Sequence, residues 1–317
     1  MAEASLGSAL HAGVIGDVPA GLSRQRGLGW DFIDLAALGD NRLGCYLIGL
    51  LRILLYPLGF AVIAGVVIGV AIAIPAALAH RPFPGIGPIS GLILQFGSVA
   101  MVGVAVLRTV ARTHKRHWLS VVAPDLHLDW RRLAIGLGVE LVLKLLLLLF
   151  AAAAGQVPGA PFAAMTADQL ALLGVALFLV PLQAASEEIL FRGYLTQALG
   201  RMLPSRCLIV AATALLFGLL HLNNYGPVTL PYFLVVSLLY SLVSLRDERL
   251  ELAIGGHAAM NLFAVWLANA MSGGSGTPHA AVTLSWAMLA ILLVHGALFY
   301  ALTRFLVRRF CHTRPAA

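Results

Sequence analysis

The chain has 317 residues, 60% of them hydrophobic and only 11% charged, against roughly 25% charged and 45–50% apolar in an ordinary soluble domain. The apolar residues come in long runs, so the composition excludes a soluble globular domain and describes an all-α, polytopic membrane helical bundle. The net charge of +7 does not mark a nucleic-acid surface: Arg and Lys lie between the apolar runs, where lipid headgroups and membrane orientation account for them.

Residues 1–42 mix Gly, Pro and a few charges without the pattern of a signal peptide, and read as a cytosolic tail, mobile or lying on the surface. About eight spans follow. The first two, about Ile53–Ala79 and Ile86–Val106, each exceed the ~20 apolar residues that cross a hydrocarbon core. A loop with Arg108, Arg112, Lys115, Arg116, Arg131 and Arg132 leads to the third, about Leu133–Ala154, where Glu140 and Lys144 are spaced to pair on one helix face. Gly155–Ala167 carries no Lys or Arg. The fourth span runs from Leu170 to about Tyr194, the fifth over Cys207–Leu222, and the sixth over Leu230–Leu245 after a neutral loop, Asn223–Thr229. The charged turn Arg246–Arg249 precedes the seventh, Leu252–Met271. The uncharged loop Ser272–His279 precedes the eighth, Ala281–Leu302, and Arg304, Arg308, Arg309 and Arg314 form a basic tail.

Nearly all cations therefore fall on alternate loops and the C-terminal tail, which puts both termini in the cytosol. Trp118 and Trp130 read as interfacial anchors. The three cysteines, Cys45, Cys207 and Cys311, are scattered, with neither metal spacing nor a disulfide framework. The division expected is a tail (1–42), N-terminal spans (43–168), a core (169–272), and a last span with its basic tail (273–317).

The core holds Ser186-Glu187-Glu188-Ile189-Leu190-Phe191-Arg192, charges set in an apolar run. Ionised groups are costly at bilayer depth, so such a cluster is a functional-site hypothesis. On a helix Glu188 and Arg192 share a face, whereas Glu187 lies about 100° away. Glu188 is thus the natural ion partner of Arg192, and Glu187 is freer to act on a substrate or water. The fifth span adds His221 in Phe217-Gly218-Leu219-Leu220-His221. The seventh adds His257 and Asn261, one turn apart and able to face one cavity. Carboxylate, imidazole and amide are the parts needed to activate water and stabilise an oxyanion. His295, in the eighth span, reads as a packed histidine of the bundle.

These motifs, Glu187-Glu188-x-x-x-Arg192, Phe217-x-x-x-His221 and His257-x-x-x-Asn261, in this order on separate spans, resemble the CAAX-protease and bacteriocin-processing family of intramembrane proteases. The resemblance covers about Leu170–Met271. It implies an endopeptidase with its site sunk in the membrane, acting on a membrane-associated peptide or protein. In eukaryotic relatives the substrate is a prenylated C-terminal CAAX peptide, and bacterial relatives are linked to peptide maturation or bacteriocin immunity. By position, Glu187 is implied as the general base, His221 as the group orienting water, His257 and Asn261 as oxyanion donors, and Glu188 and Arg192 as supporting residues. No cofactor is called for outright. If a divalent metal such as zinc takes part, Glu187, His221 and His257 are its ligands, although the His-Glu-x-x-His helix of zinc proteases is missing. The expected setting is a bacterial inner membrane, with membrane lipids as neighbours and no nucleic acid. Two other classes stay open: a non-catalytic scaffold or self-immunity protein of the same fold, and a transporter or haem protein using the intramembrane histidines.

Overall fold

A computed structural model describes residues 30–156, 165–271 and 285–311. The described residues are helical, and seven helices are long and apolar enough to cross a membrane, with one shorter apolar helix beside them. The expected polytopic bundle is therefore present.

A short helix, α1 (Trp30–Asp34), and a 3-10 turn (Leu35–Leu38) come first. They belong to the segment expected to lie loose, yet Phe32 and Ile33 are fully buried, and Gln197 Nε2 donates to the Phe32 carbonyl at 3.0 Å. The apolar pair is what docks this segment. Residues 1–29 lie outside the described residues.

The spans are α2 (Leu43–Leu78), α3 (Pro88–Arg112), α4 (Trp130–Ala153) and α5 (Ala167–Glu188). Helix α5 continues through a π-helical turn (Ile189–Leu195) into α6 (Thr196–Gly200). Then come α7 (Arg206–Tyr225), α8 (Leu230–Asp247), α9 (Glu251–Met271) and α10 (Trp286–Phe310). Helix α2 starts well before the expected Ile53 because Arg52 does not end it: the guanidinium reaches Thr113 Oγ1 at 2.7 Å. Helix α7 runs into the expected neutral loop and stops at Gly226, whose φ of 79° suits a glycine. Arg304, Arg308 and Arg309 belong to α10 rather than to a tail, where cations complement a helix C-terminus. Ala281–Leu284, the loop before them and Arg314 lie outside the described residues.

Two contacts position the site. Helices α4 and α9 touch backbone to backbone: a Cβ at Gly136 would strike the Leu252 carbonyl, and one at Gly255 the Leu133 carbonyl. Small residues let membrane helices close to this distance. At the Arg-rich end, Glu248 takes a left-handed φ of 56° and turns α8 tightly into α9, which sets Tyr240 against His257. The interior has one apolar cluster around Phe191, Phe217 and Leu250 and a second around Val139, Tyr240 and Phe299. The charged residues lie at their junction.

Candidate active site

Helices α5 and α9 run antiparallel and are joined by polar rungs. Gln169 Nε2 donates to the Asn269 carbonyl at 2.7 Å, and Asn269 Nδ2 to the Gln169 carbonyl at 2.9 Å. Asn261 Nδ2 donates to Gln183 Oε1 at 2.9 Å. One turn on, His257 meets both glutamates: Nδ1 lies 2.7 Å from Glu188 Oε1 and Nε2 lies 3.4 Å from Glu187 Oε2. Polar pairs along one seam hold register where lipid offers no hydrophobic drive between helices.

Glu188 is fully buried and pairs with Arg192 at 2.9 Å, as the spacing implied. Arg192 also donates to the Ser237 hydroxyl at 3.0 Å and its carbonyl at 3.2 Å, and lies 4.7 Å over the Phe217 ring. The π-helical turn that carries Arg192 is secured by Thr196, whose hydroxyl donates to the Phe191 carbonyl at 2.8 Å. Such turns recur at functional sites because they re-aim side chains within a helix.

The chemistry of His257 follows from its partners. A carboxylate oxygen only accepts, so the short contact makes Nδ1 an N–H donor to Glu188. In the neutral ring Nε2 is then a lone pair facing Glu187 Oε2, and a proton taken up between them would make that contact attractive. Two carboxylates, one guanidinium and one such proton sum to zero charge, the cheapest arrangement in a low-dielectric interior. Glu187 Oε2 and Glu188 Oε2 are buried without a hydrogen-bond partner among the described residues; the 3.4 Å approach to His257 is an ion-pair distance rather than a formed bond. Behind the imidazole, Tyr240 stacks face to face at 5.5 Å and 13°, and Phe299 of α10 meets Tyr240 edge-on at 5.9 Å. Gly256 leaves room for that phenyl ring, which a Cβ would strike at 2.6 Å.

Of the residues singled out in the sequence, the structure gathers Glu187, Glu188, Arg192 and His257 into one cluster. Asn261 adjoins it through Gln183. His257 and Asn261, one turn apart on α9, both reach across to α5. His221 is half-buried; its Nδ1 donates to the Phe217 carbonyl at 2.7 Å, and its ring lies 4.4 Å from both Phe217 and Phe233. Phe217 stands between it and His257, with centroids 4.4 Å and 6.2 Å away. Among the described residues no three His, Cys, Asp or Glu are grouped to hold a metal ion. The trio Glu187, His221 and His257 therefore does not form a ligand set in this geometry, and no step below uses a metal.

Sequence reasoning missed three neighbours. Gln183 lies one turn before Glu187 and was findable from that spacing. Ser237 and Tyr240 carry no such signal. It also missed that His295 lies 3.0 Å from both oxygens of Glu140; the expected Glu140–Lys144 pair is present at 3.5 Å.

Comparison with known proteins agrees with the core. Residues 169–263 match the family model described as Type II CAAX prenyl endopeptidase Rce1-like. The uncharacterized protein YyaK of Bacillus subtilis (strain 168) is 30% identical over 156 residues, 47% of this chain and 52% of that protein, so the chain spans about half the length of the relative it matches. No solved structure matches. The matched stretch, residues 169–263, contains all three motifs that carried the resemblance.

Proposed function

We propose that the protein is an intramembrane endopeptidase that hydrolyses a peptide bond of a membrane-associated protein or peptide with a glutamate-activated water. The observation that carries this reading is the imidazole of His257 held between two carboxylates, 2.7 Å from one and 3.4 Å from the other. Glu188 is committed to Arg192 and His257, so it fixes tautomer and orientation. Glu187 keeps an oxygen free to take a proton.

In this reading water adds its hydroxyl to the scissile carbonyl carbon and gives its proton to Glu187. The proton is shared with His257 Nε2 and passes to the nitrogen of the leaving amine as the C–N bond breaks. Asn261 spends one amide hydrogen on Gln183 and has a second to offer the developing oxyanion. His221, on the far side of Phe217, is the group assigned to orient that water in this reading. The substrate is presented from the membrane, with both termini of the enzyme in the cytosol.

The test is substrate proteomics of new N-termini in cells carrying wild type or Glu187→Gln, with expression and monodispersity matched. Cleavage products that vanish in the variant support the reading. Identical products and an unchanged cellular phenotype would sink it in favour of a scaffold.

A further inference from the structure

The seam between α4 and α10 is open on the membrane-facing side. It forms a groove of about 410 Å³ lined by Ala134, Ile135, Gly138, Val139, Leu302 and Leu306, among others. All are apolar, and a side chain added at Gly138 would meet nothing within 4 Å. A peptide laid there would leave its backbone amides unsatisfied, whereas an acyl chain asks for no hydrogen bond.

The Arg-rich end of this groove is cationic. Arg131 precedes Ala134 by three residues and Gly138 by seven, so it continues the groove-lining stripe of α4. Arg309 follows Leu306 by three and Leu302 by seven, continuing the stripe of α10. Both are exposed, and neither has an acidic ion-pair partner among the described residues, Arg309 lying 5.7 Å over Phe310 instead. The two helix ends meet at one level: Ala134 of α4 and Leu306 of α10 line the same groove, and buried Cys311, next in chain to Phe310, lies within the field of Asp129, Arg132, Asp247 and Arg131. Trp130 and Phe310, 67% and 56% exposed, flank that level as interfacial aromatics.

We propose that this seam is a binding site for one anionic glycerophospholipid, with an acyl chain in the α4/α10 groove and the phosphate between Arg131 and Arg309. Basic pockets between transmembrane helices recognise anionic headgroups in this way. The site shares no residue with the His257 cluster and does not depend on the peptidase reading. Its consequence for the fold is that a bound lipid joins α10, which carries Phe299 and His295, to α4.

The experiment needs no substrate. The full chain is reconstituted in an equimolar mixture of phosphatidylglycerol and phosphatidylcholine, re-extracted in mild detergent, and its retained lipid counted by native mass spectrometry. One phosphatidylglycerol per chain is expected, retained in preference to phosphatidylcholine. The double variant R131Q/R309Q lowers that retention by about tenfold. Gly138→Leu does the same with the charges intact, and Gly138→Val serves as a smaller plug should the leucine variant lose monodispersity. Arg308→Gln, off the stripe, leaves retention unchanged. Equal retention of the two lipids, loss in only the charge arm or only the groove arm, or an equal loss in Arg308→Gln each overturns the proposal.

Discussion

Two places in this bundle bury a glutamate against a histidine, and they differ in what is left over. At Glu140 both carboxylate oxygens lie 3.0 Å from the same nitrogen of His295, with Lys144 3.5 Å away. One acid faces one cation and one imidazole, so nothing is left to react. At His257, beside the Arg192 guanidinium, there is one acid more. Two carboxylates share one imidazole, and each keeps an oxygen without a hydrogen-bond partner. A buried acid whose oxygens are all engaged is a brace. A buried pair with surplus acceptors beside one imidazole is placed to move protons. Residue type alone does not separate the two; the ratio of acids to imidazoles does.

The contrast is broken or sharpened by four measurements. The largest effect belongs to Glu187→Gln, which removes the surplus base: turnover is expected to fall by about 10²–10⁴-fold or more, with the thermal melting of the detergent-solubilised protein close to wild type. Comparable residual turnover would put Glu187 in the same class as Glu140. Next is Glu188→Ala. It strands Arg192, whose side chain is 1% exposed, and breaking a buried pair costs about 3–5 kcal/mol. A fall in melting temperature should therefore precede any loss of chemistry, and the double variant E188Q/R192M should recover part of it. Two well-folded glutamate variants with equal, purely catalytic defects would contradict this division.

Third is His295→Ala. It leaves Glu140 with Lys144 as its remaining charged partner, and the expected cost is about 1–3 kcal/mol, with turnover per folded molecule unchanged. A selective loss of turnover would show that the Glu140 cluster is more than a brace. The smallest effect is a pH slope at His114, outside the spans. Its Nδ1 donates to the Asp40 carbonyl at 2.7 Å and its Nε2 accepts from the Tyr194 hydroxyl at 3.1 Å. Burial lowers its pKa below the usual 6.5, so the folded state holds the neutral ring and the unfolded chain binds the extra proton. Stability is therefore full above pH 6.5 and declines as pH falls from there towards the folded value. His114→Asn should flatten that slope in melting curves taken across mildly acidic pH, with turnover per folded molecule unchanged.

Much of this was legible in the chain because it rests on local physics. Apolar runs fix where helices cross, since every backbone amide in a bilayer must be satisfied within its own segment. The Glu188–Arg192 pair follows from four-residue spacing alone, and the singularity of Glu187 from the angle between successive residues on a helix. Helix ends were less legible. Helix α2 runs through Arg52 and starts before the expected Ile53, and the partner of that arginine, Thr113, is far away in sequence. The same limit hid Glu140 from His295 and His257 from Glu188. Each of these pairs joins helices that no local pattern connects, and which helices touch depends on small residues such as Gly136 and Gly255, whose contacts appear only once the bundle is packed. Sequence by itself therefore determined the spans, the charged knot and the identity of its chemical groups. Tertiary structure alone decided that His257 stands between two carboxylates and His295 before one, because an interaction between helices depends on packing geometry that the spacing along either helix does not contain.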